Sequence, residues 1–171
     1  ALVRQLVASP RKPQVYAAPG NPGTATLATN LDLDPMQSDA VLAACRSHGI
    51  DLVIIGPEDP LINGLGDHLR SGGVPVFGPG SLGARLEGDK EFAKEVMDSA
   101  GIPTARHAAF STVDAAMRYL ETATLPCVVK ACGAAQGKGV AVCDTRAEAE
   151  EFIRACLQDQ RFGSSGARIL I

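Results

Sequence analysis

No apolar run in this 171-residue chain approaches the roughly 20 residues that a membrane-spanning helix needs, so the sequence offers no bilayer-crossing helix and no membrane partner. Basic charge is not in excess either. Sixteen Lys and Arg stand against 19 Asp and Glu, a formal net charge of −3, which leaves no electrostatic footprint for nucleic acid. The five cysteines, at positions 45, 127, 132, 143 and 156, are odd in number and lack any C-x-x-C spacing. That excludes a disulfide framework or zinc ribbon and makes reduced thiols in a cytoplasmic-type chain the expectation. His48, His68 and His107 have no paired ligands and read as structural or solvated. Asp32 and Asp34 alternate with leucine in a loop, but no third ligand follows at EF-hand spacing, and no Ser-His-Asp arrangement can be argued from spacing. Asp114 and Glu148 read as helix-cap partners, and Cys127 and Cys143 as core. What is present is 46% hydrophobic content, enough to bury a core in one domain or a small pair, with 18 Gly and 11 Pro falling at the ends of many apolar runs.

The first 80 or so residues alternate strand and helix. Apolar runs at 14–18, 51–55 and 74–77 predict buried parallel strands, and 39–48 and 61–71 carry helical spacing. This is a βαβ series, part of a doubly wound sheet. Such sheets normally open on a strand and a glycine loop, whereas this chain opens on the helix-like Leu2-Val3-Arg4-Gln5-Leu6-Val7, so a missing amino-terminal piece is expected. Each predicted strand stops at a Gly/Pro turn: Pro19-Gly20-Asn21, Gly56-Pro57-Glu58 and Gly78-Pro79. Carboxyl ends of parallel strands share one edge, where ligands bind. Glycine admits a ligand close to the backbone, proline fixes φ, and Asn21 and Glu58 are polar groups suited to a sugar or amine. The competing account is that strands of any α/β fold end at Gly and Pro.

From Gly88 onward the pattern changes. Residues 89–100 carry Phe92, Ala93, Val96 and Met97 at helical spacing, stopped by Gly101 and Pro103. Capping boxes at Ser111 with Asp114 and Thr145 with Glu148 each predict a helix start, and Ala149, Phe152, Ile153, Cys156 and Leu157 form one apolar stripe. Strands are predicted at 126–130, 139–143 and 168–171. The order helix, strand, glycine loop, strand, helix, strand is a small α+β unit with antiparallel pairing.

Its centre is Val128-Val129-Lys130-Ala131-Cys132-Gly133-Ala134-Ala135-Gln136-Gly137-Lys138-Gly139-Val140-Ala141-Val142. Glycine-rich turns free backbone N–H groups to face an anion, and lysines add charge-assisted bonds. A Walker loop is excluded, because three residues rather than four separate Gly133 from Gly137 and Gly139 stands where the hydroxyl should be. The dinucleotide G-x-G-x-x-G pattern fails because Gly137-Lys138-Gly139 leads into a strand with no third glycine in register. What remains is a hairpin flap that closes over phosphates or a plain hairpin turn with a solvated lysine.

Six segments carry a resemblance across nearly the whole chain: Pro19-Gly20-Asn21-Pro22-Gly23-Thr24-Ala25, Ile55-Gly56-Pro57-Glu58-Asp59-Pro60-Leu61, Phe77-Gly78-Pro79, Leu86-Glu87-Gly88-Asp89-Lys90-Glu91-Phe92-Ala93-Lys94, Gly101-Ile102-Pro103-Thr104-Ala105, and the lysine-glycine loop. In this order they resemble the phosphoribosylamine–glycine ligase (glycinamide ribonucleotide synthetase) family of the ATP-grasp superfamily. The resemblance implies an ATP-dependent ligase of purine biosynthesis that joins glycine to 5-phosphoribosylamine through a glycyl phosphate. It implies an α/β fold, with a partial doubly wound parallel-sheet domain over 1–82, a connecting ATP-grasp segment over 83–110 and an α+β ATP-grasp lid over 111–171. By motif, Lys90 and Lys130 resemble the lysines that reach ATP phosphates, and Gly133, Gly137, Lys138 and Gly139 the lid loop. Pro19, Gly20, Asn21, Gly56, Pro57, Glu58, Gly78 and Pro79 resemble the phosphoribosylamine edge.

Cys132, Ala134 and Gln136 depart from the family's usual loop, where a Ser or Asp caps the turn, which implies weaker ordering of the loop over ATP. No catalytic residue and no metal ligand is assigned within the chain. The glutamate-rich strand that contacts the nucleoside, the magnesium ligands and the glycine site are expected beyond Ile171, so the chain is expected to be a fragment without turnover alone. The parent is expected to be monomeric or fused to other purine enzymes, and cytoplasmic, or plastidial if a transit peptide preceded Ala1. Two alternatives accompany this reading. One is another ATP-grasp carboxylate–amine ligase, biotin-carboxylase-like or formate-using; the other is a degenerate nucleotide-binding module.

Overall fold

The computed structural model describes residues 1–133 and 138–171, which divide into two compact units, Ala1–Ser81 and Leu82–Ile171. In the first, α1 (Leu2–Val7) precedes β1 (Tyr16–Ala17), α2 (Pro22–Ala25), β2 (Thr29–Asn30), α3 (Ser38–Ser47), β3 (Val53–Ile54), α4 (Glu58–Ile62), α5 (Leu65–Ser71) and β4 (Val76–Phe77). The three expected strands are present as short cores of the apolar runs. Hydrogen bonds join the strands in two parallel pairs, β1 with β2 and β3 with β4. The second member of the first pair, Thr29–Asn30, carries no apolar run and is a strand only because Tyr16 and Ala17 lie alongside it.

The single helix expected over 61–71 is two. Gly64 stands between α4 and α5 with φ +86, a left-handed conformation that ends one helix and starts the next. Leu65 and Leu69 of α5 bury against Val41 and Cys45 of α3, with Val74 completing the cluster and Val53, Ile55 and Val76 packed on it. The apolar face of the β3–β4 pair is covered in this way.

The second unit begins in α6 (Ser81–Gly88) and continues through α7 (Lys90–Ser99), β5 (Ala109–Phe110), α8 (Val113–Leu120), β6 (Cys127–Ala131), β7 (Val140–Cys143), α9 (Arg146–Leu157), a 3-10 turn at Gly163–Gly166 and β8 (Ile169–Leu170). Its sheet has the order β5-β8-β6-β7 with antiparallel neighbours. The capping box at Thr145 forms as expected: Thr145 Oγ1 accepts from Glu148 N at 3.3 Å, and Glu148 Oε2 accepts from Asp144 N at 2.9 Å and Thr145 N at 3.3 Å. The box expected at Ser111 does not. The chain stays extended through Thr112, which is the N-cap and makes no side-chain cap bond, so the Ser111–Asp114 spacing is one residue out of register with the helix start. Asp114 lies in the first turn of α8 and favours the helix dipole instead. Ala116 and Leu120 of α8 and Ala149, Ile153 and Cys156 of α9 bury against Val129, Cys143 and Ile169 of the sheet. Burying an Ile or Leu side chain contributes about 1.5–3 kcal/mol, and these fully buried residues fix both helices to one face of the sheet. The other face is left for a site.

Candidate functional site

Strand alternation sends Val129 of β6 into the helix-covered core, buries Ala131 on the same side, and turns Val128 and Lys130 to the opposite face. There Lys130 lies across from Leu170 of β8 and Val140 of β7. A cleft of about 820 Å³ opens on this side, with Val128, Lys130 and Leu170 on one wall and Lys90, Ala93, Lys94 and Met97 of α7 on the other. The segment 104–107 also lines it, bringing Arg106 and His107. Four basic side chains, Lys90, Lys94, Arg106 and Lys130, therefore line a cleft to which no Asp or Glu among the described residues contributes. Charges of one sign in a concave site focus the field on an anion.

Lys90 is placed by the first turn of α7. Asp89 caps the helix by accepting from Phe92 N at 3.1 Å and pairs with Arg85 at 3.0 Å. Partial burial pushes the Asp89 carboxyl up, but these hydrogen bonds and the Arg85 charge outweigh it and hold it below the usual carboxylate range. The Lys90 amide donates to Cys132 O at 3.0 Å, and its ammonium donates to Gly133 O at 3.0 Å. An ammonium has three donors, so the bond to the loop carbonyl leaves two for the cleft. Further along α7, Lys94 donates to Thr104 Oγ1 and Ala105 O, and His107 Nε2 lies 3.4 Å from Asp98.

The loop after β6 is anchored where it leaves the strand. Gly133 N donates to Ser165 O at 3.0 Å, and a Cβ on Gly133 would lie 2.7 Å from Ser165 Cα. Backbone approach to the Gly163–Gly166 turn thus requires glycine here. Gly137 lies outside the described residues, as do Ala134, Ala135 and Gln136. Lys138 is exposed, and the buried Gly139 accepts from Ala131 N at 2.7 Å, extending the β6–β7 ladder toward the loop. Cys132, expected as a loop position that loses a capping group, is 6% exposed. Burial, with Glu91 adding to it, pushes its thiol up to about 11, so at neutral pH it is a buried neutral group.

In the first unit the expected substrate-side turns are held by their own contacts. Gly20 has φ +78, and a Cβ there would lie 2.3 Å from the Asn30 side chain. Asn30 Nδ2 donates to Asn21 O at 3.0 Å and its Oδ1 accepts from Thr24 at 2.8 Å. The Asn21 side chain caps α2, its Oδ1 accepting from Thr24 N at 3.0 Å. Pro19 precedes this knot. Pro57 is the N-cap of α4 and Glu58 its first residue, exposed, with Gly56 just before them. Gly78, at φ +152, approaches Ile55 and Leu61, so its turn meets the end of β3, and Pro79 O lies against Gly66. These contacts bring the second and third turns together, while the first packs on Asn30.

Residues 1–87 match the family described as Phosphoribosylglycinamide synthetase, N domain, and residues 88–171 match Phosphoribosylglycinamide synthetase, ATP-grasp (A) domain. The chain belongs to the phosphoribosylglycinamide synthetase family. It is 44% identical over 177 residues to the phosphoribosylamine–glycine ligase of Rhodopirellula baltica, covering 100% of this chain and 40% of that protein. It is 42% identical over 177 residues to the trifunctional purine biosynthetic protein adenosine-3 of Drosophila melanogaster, covering 100% of this chain and 13% of that one. The crystal structure of phosphoribosylamine–glycine ligase from Thermotoga maritima superposes with a TM-score of 0.77 at 30% identity, covering 98% of this chain and 39% of that chain. A biotin carboxylase domain from Hydrogenobacter thermophilus, solved with MgADP, shares the fold at TM-score 0.75 and 21% identity. The chain spans about 40% of the length of the first of these relatives.

Within the phosphoribosylglycinamide synthetase family pattern, the motifs mark Lys90 and Lys130, leave Lys94 and Arg106 without a role, and leave His107 as structural or solvated, although all three line the cleft. Lys94 had a local signal: it follows Lys90 by four residues, on the same face of one helix. Arg106 and His107 had none, since they reach the cleft from an irregular segment. Magnesium, implied by the ATP-grasp family, finds no home among the described residues. They contain no group of three His, Cys, Asp or Glu able to hold a metal ion, and the cleft has no carboxylate side chain. Among the described residues no helix is long and apolar enough to cross a membrane.

Proposed function

We propose that this chain carries the nucleotide-phosphate cradle of an ATP-dependent ligase that joins glycine to 5-phosphoribosylamine, giving glycinamide ribonucleotide, ADP and phosphate. A glycine carboxylate oxygen attacks the γ-phosphorus, the bond to the ADP oxygen breaks, and the amine of phosphoribosylamine then displaces phosphate from the acyl carbon. Such chemistry depends on positioning and on neutralising charge around the transferred group. The observation that carries the reading is the cleft that Lys90 and Lys130 both line, with no acidic side chain among the described residues that line it. Lys138 supplies a further donor, and Gly133, Gly137 and Gly139 are assigned to the same lid loop. The turns at Pro19 to Asn21, Gly56 to Glu58 and Gly78 to Pro79 take the phosphoribosylamine side. The substrates are small molecules, and the reaction belongs to the cytoplasm. The parent acts as a monomer or, as the name of the Drosophila relative suggests, fused to other purine enzymes.

Titrating the chain with ATP tests the cradle. Charge-assisted bonds contribute about 1.5–3 kcal/mol, so Lys90→Met and Lys130→Met are each expected to weaken ATP binding about tenfold or more. Binding equal to that of the unsubstituted chain would remove both lysines from the site. In a longer protein carrying this chain, ADP release that requires both glycine and phosphoribosylamine supports the ligase assignment, and release with bicarbonate or formate in place of glycine overturns it.

A further inference from the structure

We propose that Glu91 is a positioning residue that, through Arg168, holds Lys90 in place on the wall of the cleft; the inference rests on the phosphate-cradle reading above. Glu91 follows Lys90 in the first turn of α7, is not among the residues that line the cleft, and accepts from the Arg168 guanidinium beside β8. Its side chain is 16% exposed, whereas that of Arg168 is 56% exposed. The pair is far apart in sequence but spans a single short backbone relay. Lys90 N donates to Cys132 O at 3.0 Å, and Cys132 N donates to Arg168 O at 2.9 Å. The Glu91–Arg168 bridge closes this relay into a ring at Cys132, which is itself buried.

The geometry has one mechanical consequence. Among the described residues, Lys90 ties the start of α7 to the end of β6 through its amide, to Cys132 O, and its ammonium, to Gly133 O, and Glu91 adds a side-chain bridge to Arg168. Both Lys90 bonds leave from one residue and let the helix pivot about it, and a tie on the neighbouring residue fixes its rotation. The rotation of α7 decides whether the Lys90 ammonium rests at Gly133 O, in line with the cleft, or swings from it. Exposed ion pairs contribute little on their own, so the effect belongs in ligand affinity more than in global stability. Placing a charge wrongly by even a small distance costs binding of a polyanion.

The experiment is ATP titration of the chain and of Glu91→Gln, Arg168→Gln, the double variant, Lys90→Met, and Lys90→Met combined with Glu91→Gln. Interaction energies in coupled networks correspond to a several-fold change. Glu91→Gln and Arg168→Gln should each weaken ATP binding about three- to tenfold, and the double variant should be no worse than the weaker single. The discriminating arm is the Lys90→Met background, where Glu91→Gln should add no further loss, because the group it positions is gone. A merely structural role would lower affinity equally in both backgrounds, and that result overturns the proposal. Glu91→Gln binding ATP like the unsubstituted chain, while Lys90→Met loses affinity, also overturns it and leaves the cradle standing. Lys90→Met without loss overturns the cradle and this inference together. Should Glu91→Gln fold poorly, Arg168→Gln breaks the same bridge from its exposed end and carries the same comparison.

Discussion

Replacing Gly133 by alanine distinguishes two reasons for a glycine at the mouth of the loop. If the residue is glycine so that a phosphate can approach the backbone, a methyl group should leave the unliganded chain as stable as before and affect only ATP. The packing argues otherwise. The added carbon would stand 2.7 Å from Ser165 Cα and 2.9 Å from Ser165 Cβ, whereas carbon atoms rest at about 3.5–4.0 Å. The contact is with main chain, so no rotamer relieves it. The Gly163–Gly166 turn must move, and the Gly133 N to Ser165 O bond, 3.0 Å long, moves with it. Overpacking of this kind costs about 1–3 kcal/mol. For a unit of this size each kcal/mol lowers Tm by about 4–8 °C, so a thermal melt followed by circular dichroism should drop clearly without ATP. Because Gly133 O also receives the Lys90 ammonium, ATP affinity should fall as well. A Gly133→Ala chain that melts at the original temperature would refute the steric argument.

Two further outcomes follow from the electrostatics. With its thiol pushed up to about 11 by burial, Cys132 at pH 8 is thiolate in only about one molecule in a thousand, and thiolate is the reacting form. Iodoacetamide should therefore label Cys132 slowly under native conditions and readily in denaturant; mass spectrometry showing Cys132 modified first in the folded chain would contradict this. Asp89 is held below the usual carboxylate range, so the stability it supplies is fully present above that range and is lost as pH falls through its depressed value. Asp89→Ala should thus be less stable than the unsubstituted chain at pH 7, with the gap narrowing as pH falls below the ordinary carboxylate range, as read by urea unfolding at neutral and acid pH. A gap of constant size would show that capping by the ionised carboxylate is not responsible.

The features that were legible in the sequence are those whose causes are local. Thr145 and Glu148 sit three apart before an apolar stripe, and the box between them forms because both partners belong to one turn of chain. Gly101 and the stripe of α7 were legible for the same reason. The Ser111 box failed because its spacing is local but its register is not: β5 pairs with β8, and the chain after that strand stays extended through Thr112. Thr29–Asn30 could not be read as a strand, having neither alternation nor β-branched runs on both sides; its partner strand supplies the reason. Gly64 splits a helix whose apolar spacing runs straight across it, because positive φ is a property of the folded backbone.

In the cleft the division is the same. The lysine-glycine segment between two apolar runs determined a hairpin and limited its anion-binding options, since the order of residue types along a chain settles which backbone groups a turn can present. The motifs in order determined the family, and with it the α/β class. Only the tertiary structure decided that Lys90 and Lys130, on a helix and a strand, share one cleft with Lys94 and Arg106 and without an acidic side chain. It also decided that Gly133 is glycine against Ser165, and that Glu91 reaches Arg168. Those juxtapositions come from α8 and α9 covering one face of the sheet and leaving the other to α7, a choice made by long-range burial that no window of sequence contains.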